Sequence, residues 1–279
     1  MNARSALFDL YGDHLRSRGG RARVAALVQL LAPLGIAAPA VRTAVSRMVR
    51  QGWLAPTKVD GAAGYKLTAR AERRLDNAAA RIYRTTANDH WDGQWHVIIP
   101  ARPSDRASRE RLRANLTYLG YAPLGDGTWL AARPSPELEA LLTSEKQTAE
   151  RFVARNENDD TKLVRRAWDL SAIASSYRQW LQHAKTLIDE LDDDPPDDDP
   201  PDELAFATRS KLVHEWRKFL FTDPGLPRVL LPDDWPADEA AQLFDKEADR
   251  LLPASARFVE HCLADFPPSI TSGAAEPPA

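Results

Sequence analysis

The chain has 279 residues, 43% hydrophobic and 28% charged, with a single cysteine, Cys262. That length implies two or three domains with cores of their own, and one cysteine excludes both an intramolecular disulfide and a cysteine-based zinc site, in keeping with a reducing cytoplasm. The net charge of −3 conceals an asymmetry, +9 over residues 1–90 and −12 over the rest, which suggests a nucleic-acid-binding head on a body with another task.

The N-terminal segment reads as helix, helix, helix, hairpin, helix. Ser5 to Arg16 is predicted helical with Ser5 as N-cap and Leu7, Leu10, Tyr11 and Leu15 on one side. Ser17-Arg18-Gly19-Gly20 breaks it, and a second helix runs from Val24 to Leu31, ahead of Pro33-Leu34-Gly35. The third starts near Pro39, which suits a first helical turn, and ends at Gln51-Gly52. Trp53 to Ala55 and Tyr65 to Leu67 are short predicted strands around a loop from Pro56 to Gly64, and Thr68 caps a helix to about Arg84. This order predicts a winged helix-turn-helix over residues 1–88.

Residues 89–160 predict a ferredoxin-like β-α-β-β-α-β domain. Trp95, Val97 and Ile99 alternate with Gln94 and His96 as a strand, and Ser104 to Leu119 is an amphipathic helix with Leu112, Leu116 and Leu119 inward. Tyr121 to Leu124 and Thr128 to Ala131 flank a tight Asp126-Gly127 turn, followed by a helix from Pro136 and a strand at Glu150 to Ala154. The fold class is therefore α+β, with a helical C-terminal domain over 161–266. There Trp168, Ile173, Tyr177, Trp180 and Leu181 follow a helical period, as do Leu212, Val213, Trp216, Phe219 and Leu220. The Asp-Pro run at 192–201 and the tail at 267–279 are predicted to be disordered. The longest apolar run, Val24 to Ala40, is broken by Gln29, Pro33, Gly35 and Pro39, so no membrane span is expected, and the N-terminus does not resemble a secretion signal.

The third helix is the most informative segment. Val41, Ala44, Val45, Met48 and Val49 form one apolar stripe, and the opposite face is Arg42, Thr43, Ser46, Arg47 and Arg50. Every side chain on that face donates hydrogen bonds and none is acidic, which is what a helix in a major groove requires; arginine reads guanine through two acceptors, and hydroxyls reach base edges or phosphates. Ordinary solvent-facing helices mix both signs. Arg16, Arg18, Arg21, Arg23, Lys58 and Lys66 surround this helix as candidate phosphate contacts.

Enzyme motifs are missing. There is no Gly-x-Ser-x-Gly elbow and no phosphate-binding Gly-x-x-x-x-Gly-Lys loop, and His214-Glu215 has Lys218 where a zinc-binding motif needs a second histidine. No metal ligands or cofactors are expected. One enzymatic alternative stays open. The middle domain resembles that of a CRISPR-associated endonuclease, which would give Asp92 a catalytic place before its first strand, although Trp-Asp-Gly is better read as a turn. A scaffold-type interaction protein is the other rival.

Several motifs carry a family resemblance over nearly the whole chain. Leu10-Tyr11-Gly12-Asp13, Arg18-Gly19-Gly20, Leu31-Ala32-Pro33-Leu34-Gly35-Ile36 and Val41 to Val49 with Gly52-Trp53-Leu54 resemble the PaaX family, repressors of phenylacetic acid catabolism and their relatives. Arg81-Ile82-Tyr83, Trp91-Asp92-Gly93-Gln94-Trp95, Ala167-Trp168-Asp169-Leu170, His214 to Phe221, Asp223 to Pro227 and Leu231 to Pro236 continue it in order. The resemblance implies a cytoplasmic repressor, a homodimer on palindromic double-stranded operator DNA, and an acyl-CoA effector, best known as phenylacetyl-CoA. It also implies that the middle and C-terminal domains supply dimerisation and effector sensing, with an effector pocket in the C-terminal domain for which Trp168, Tyr177, Arg178, Arg209, Trp216 and Arg217 are candidates; the same aromatics equally suit a helical core. Two departures stand out. The hairpin tip Asp60-Gly61-Ala62-Ala63-Gly64 lacks the basic side chains usual before Tyr65, and the Asp-Pro run looks like an insertion.

Overall fold

The computed structural model describes residues 1–82, 90–192 and 200–264. The 83–89 junction, most of the Asp-Pro run (193–199) and the tail predicted to be disordered lie outside the described residues. The fold is α+β, with two antiparallel sheets. Its described residues form two compact units, one of 1–80, 184–192, 200–214 and 244–264, the other of 81–82, 90–183 and 215–243. Packing rather than sequence order defines these groups, since part of the C-terminal helical region packs with the N-terminal residues.

In the first unit, α1 spans Ala3–Leu10. Its N-cap is Asn2, whose Oδ1 accepts from the Ser5 amide at 3.0 Å, so the predicted cap at Ser5 lies three residues too late. Beyond it the backbone widens into a π-helical turn at Tyr11–Leu15 and tightens to 3-10 at Arg16–Arg18. A short strand that the sequence did not announce, β1 (Arg21–Arg23), precedes α2 (Val24–Leu31) and α3 (Ala38–Arg50). Strands β2 (Leu54–Val59) and β3 (Ala62–Leu67) follow, then α4 (Ala69–Ile82). The predicted nine-residue loop between two short strands is thus wrong. Asp60 (φ 49) and Gly61 (φ 82) form a two-residue turn, and pairing runs from Leu54–Leu67 to Val59–Ala62. Asp-Gly at the two left-handed positions of a type I′ turn matches strand twist and lets the hairpin close tightly.

The sheet order is β1-β3-β2. The core joins Leu7, Leu10 and Tyr11 with Leu27, Leu30 and Leu31, with Val41, Val45 and Met48, and with Phe206, Val259 and Cys262.

The second unit opens with β4 (Trp95–Pro100), α5 (Arg106–Tyr118), β5 (Ala122–Gly125) and β6 (Thr128–Ala131). Then come α6 (Leu138–Ser144), β7 (Ala149–Ala154) and α7 (Asp160–Ala167). The sheet order is β5-β6-β4-β7, every pair antiparallel. Ile98, not Ile99, points into the core with Leu112, Leu116 and Leu142, while Ile99 is exposed. The period-two reading chose the wrong face because Trp95 is buried as well, by Trp91 and Trp168 on the sheet's other side.

Among the described residues there follow α8 (Leu170–Asp192), α9 (Asp202–Trp216), α10 (Phe219–Thr222), a 3-10 turn at Arg228–Leu230 and α11 (Ala237–Ala264). Two helical-period readings need correction. Trp168 is the extended residue between α7 and α8, where it stacks on Trp95, and the chain turns after Trp216, so Phe219 begins a separate short helix.

Candidate nucleic-acid interface

The apolar stripe of α3 sits where its periodicity places it. Val41, Ala44, Val45 and Met48 are buried, and Arg42, Thr43, Ser46, Arg47 and Arg50 are all exposed. The helix begins without a side-chain cap but with Pro39 in its first turn, which needs no amide partner. It ends on Gly52 (φ 71), with the Gly52 amide donating to Val49 at 3.0 Å and the Trp53 amide to Met48 at 2.9 Å. That Schellman closure holds the last turn helical through Arg50. Thr43 Oγ1 donates to the Pro39 carbonyl at 2.9 Å, and Arg42, Arg47 and Arg50 form no ion pair among the described residues. Three unneutralised guanidinium groups on one rigid face form a cationic, donor-only surface suited to base edges and phosphates.

The six candidate phosphate cations divide. Arg21, Lys58 and Lys66 are exposed and form no ion pair among the described residues; Arg21 stands directly across from Lys66 in the β1–β3 register. Like charges directly opposite one another destabilise a sheet unless an anion lies between them. Arg16 pairs with Asp76, and Arg18 with Glu260 and the His14 carbonyl. Arg23 is 6% exposed, its guanidinium turned onto the Val59 and Asp60 carbonyls. Two exposed cations escaped the sequence reading: the Arg4 guanidinium lies 5.6 Å from the Phe8 ring centre and that of Arg70 5.2 Å from the Trp53 ring. The i, i+4 spacing of Arg4 and Phe8 was the available signal.

Behind α1 the first unit carries a buried ionic layer. Asp9 accepts from or pairs with His214 Nδ1 at 2.7 Å, and Asp13 accepts from Arg209 Nη2 at 2.8 Å, while Arg209 Nη1 donates to the Ala248 carbonyl at 3.0 Å. His14 lies beside them, fully buried, its Nε2 3.2 Å from an Asp13 carboxylate oxygen but with neither ring nitrogen in hydrogen-bond geometry among the described residues. Burial pushes its pKa down to about 4, against the opposing pull of the Asp13 carboxylate. The fold therefore holds His14 neutral at pH 7.

Of the six candidate effector residues, Arg209 belongs to the first unit and the other five to the second, where Tyr177 and Trp216 adjoin with ring centres 6.1 Å apart. Within the second unit Tyr177 stacks on Phe219 at 3.9 Å between ring centres, and Trp216 stands edge-on to Trp180 at 4.9 Å. The Tyr177 hydroxyl donates to the Asp223 carboxylate, and burial raises its pKa above the ordinary tyrosine value. Tyr177, Trp180 and Trp216 are buried against one another. Arg178 is largely exposed, 3.7 Å from Asp234, and Arg217 is half-buried.

Asp92 is exposed and accepts from the Gln94 amide at 3.0 Å, with Gly93 at φ 75, which is a turn cap. No group of three histidine, cysteine or carboxylate side chains among the described residues has metal-holding geometry, and no described helix is long and apolar enough to cross a membrane.

Comparison with known proteins follows the same three segments. Residues 2–71 match the family described as PaaX-like protein, residues 88–164 the PaaX protein central Cas2-like domain, and residues 168–261 the PaaX-like protein C-terminal domain. The chain is 29% identical over 265 residues to the transcriptional repressor PaaX of Escherichia coli (strain K12), covering 91% of this chain and 82% of that protein. Among solved structures it resembles an uncharacterized protein from Mycobacterium tuberculosis, with a TM-score of 0.59, 24% identity, and coverage of 94% of this chain and 98% of the other. That last likeness is one of fold.

Proposed function

The chain belongs to the PaaX family, and from that premise we propose that it is a transcriptional repressor, not an enzyme, that binds a palindromic operator as a homodimer and is released by an acyl-CoA. The observation that carries the reading is the exposed face of α3: Arg42, Thr43, Ser46, Arg47 and Arg50, free of carboxylates on a helix whose other face is buried. In this reading residues 1–88 act as a winged helix-turn-helix, with α3 in the major groove and the β2–β3 hairpin as the wing. Arg21, Lys58 and Lys66 contact phosphates.

Residues 89–160 act as a ferredoxin-like module, a reading that the antiparallel order β5-β6-β4-β7 supports. Its edge strand β7 exposes Phe152 (50%) and Val153 (67%), and its open edge is available to a two-fold pairing. A two-fold dimer on a palindromic operator would set its two α3 helices about 34 Å apart, one DNA turn. Residues 161–266 receive the effector, most simply phenylacetyl-CoA, with Arg178 and Arg217 for its phosphates and Trp168, Tyr177 and Trp216 beside the acyl group. Release requires that the thioester bind the non-operator conformation more tightly. The genes controlled would be those of aromatic-acid catabolism.

Fluorescence anisotropy on the protein's own upstream DNA, against scrambled DNA and with or without phenylacetyl-CoA, tests the whole. Specific binding reversed by the thioester is the expected result. Specific binding indifferent to it keeps the repressor and discards that effector, and equal binding to both DNAs overturns the operator reading.

A further inference from the structure

We propose that Arg23 is a positioning residue that hooks the wing in place from behind, holding Lys58 where it meets DNA, rather than a phosphate contact itself. The inference rests on the DNA-binding reading above and adds to it the part that sets the wing's geometry.

Arg23 is fixed at both ends. Its backbone is the last residue of β1 and also the N-cap of α2, with ψ at 151° before the first helical residue. Its side chain leaves β1 opposite Gly64 of β3 and ends on β2, the strand beyond. There Nε donates to the Val59 carbonyl at 2.9 Å and Nη2 to the Asp60 carbonyl at 3.0 Å, with the Asp60 carboxylate 3.4 Å from the same nitrogen. The planar guanidinium fork thus binds the two carbonyls that open the wing turn and neutralises the one acid at its tip.

Gly64 belongs to the same device. A β-carbon there would stand 2.7 Å from both the Ala22 carbonyl oxygen and a Val59 methyl. β1 and Val59 close over β3 at the one position without a side chain, and Arg23 spans the gap. Side chains alternate along strands, so Arg23, Gly64 and Thr57 share one face while Lys58 projects from the other. Lys58 is exposed and immediately precedes the hooked residues. A hairpin whose tip has only alanine and glycine beyond Asp60 has few other means of fixing its angle to α2. A buried arginine with its donors occupied has no reach to a phosphate.

The test is a salt-dependence cycle on operator DNA by anisotropy. Each phosphate contact contributes roughly 0.9 to the slope of log affinity against log salt. Lys58→Ala is expected to lower the slope by about that amount. Arg23→Met is expected to lower it equally, because the wing swings away, and the double variant to lower it no further. Arg23→Lys keeps the charge but lacks the rigid planar fork that fits the Val59 and Asp60 carbonyls from Nε and Nη2, so it should behave like Arg23→Met; it also replaces Arg23→Met should that protein fail to show the parent's thermal transition.

Additive slopes in the double variant, or a parental slope in Arg23→Lys, would overturn the proposal in favour of a direct contact. An unchanged slope in Lys58→Ala would overturn it by showing that the wing presents no such contact. Loss of operator specificity in the parent protein is a different result, since it removes the DNA reading itself; the proposal fails alone only where the parent binds and the cycle does not close.

Discussion

Replacing Arg209 by alanine separates a structural role from an effector role. The side chain is 4% exposed and its partner Asp13 8% exposed, so truncation leaves a carboxylate with almost no access to water and strands the Ala248 carbonyl that Nη1 served. Breaking a buried pair by removing one partner costs about 3–5 kcal/mol. For a chain of this size each kcal/mol moves Tm by roughly 2–4 °C, so Arg209→Ala should melt roughly 6–20 °C below the parent in scanning calorimetry. Adding Asp13→Ala removes the buried carboxylate that has lost its arginine and should recover a large part of that loss, because the two residues are not independent. A Tm within about 2 °C of the parent, together with weakened phenylacetyl-CoA binding, would refute the reasoning and return Arg209 to the effector site.

Acid should weaken the first unit through His14. The unfolded chain takes up the proton near pH 6.5 and the folded one only near 4, so stability falls as pH drops through that window and levels off below it. Between pH 7 and pH 5 the loss is about 2 kcal/mol in urea titrations; His14→Gln should remove it, and an unchanged pH slope would show that His14 is not the titrating group. Arg47→Ala should cost about 1–3 kcal/mol on the operator and relax specificity at one base pair, whereas an equal loss on scrambled DNA marks a phosphate contact. Arg21→Ala should lower the salt slope by about 0.9 and Arg18→Ala should leave it alone, because Arg18 is held by Glu260 and the His14 carbonyl; the reverse order would undo the division of the cations made above. Phe152→Asp should yield monomers in sedimentation velocity and weaken operator binding, and a persistent dimer would move the interface off β7.

The elements set by local pattern were legible in the sequence. The α3 stripe falls on residues three and four apart, and Val41, Ala44, Val45 and Met48 are buried as that period demands. The boundaries of α2 coincide with those read from the chain. Misreadings occur where two faces of an element are buried or where a turn is tighter than its composition suggests. β4 buries Trp95 on one side and Ile98 on the other, so no single alternation describes it. Pro56 and Gly64 have the composition of a long loop, yet both pair in strands around Asp60-Gly61. Strand β1 has three residues and no pattern of its own; it exists because β3 offers it a partner.

Charge was the least transferable signal. A count of +9 over residues 1–90 treats every arginine alike, but the fold sorts them by partner. Arg42, Arg47, Arg50 and Arg21 face outward without carboxylates beside them among the described residues. Arg16, Arg18 and Arg23 are tied to Asp76, Glu260 and the hairpin carbonyls. Those partners are as much as 242 residues away along the chain, beyond the reach of any window along the sequence. In the proposed DNA-binding reading the open guanidinium groups meet DNA and the tied ones shape the surface on which they stand, and only three-dimensional pairing tells the two kinds apart.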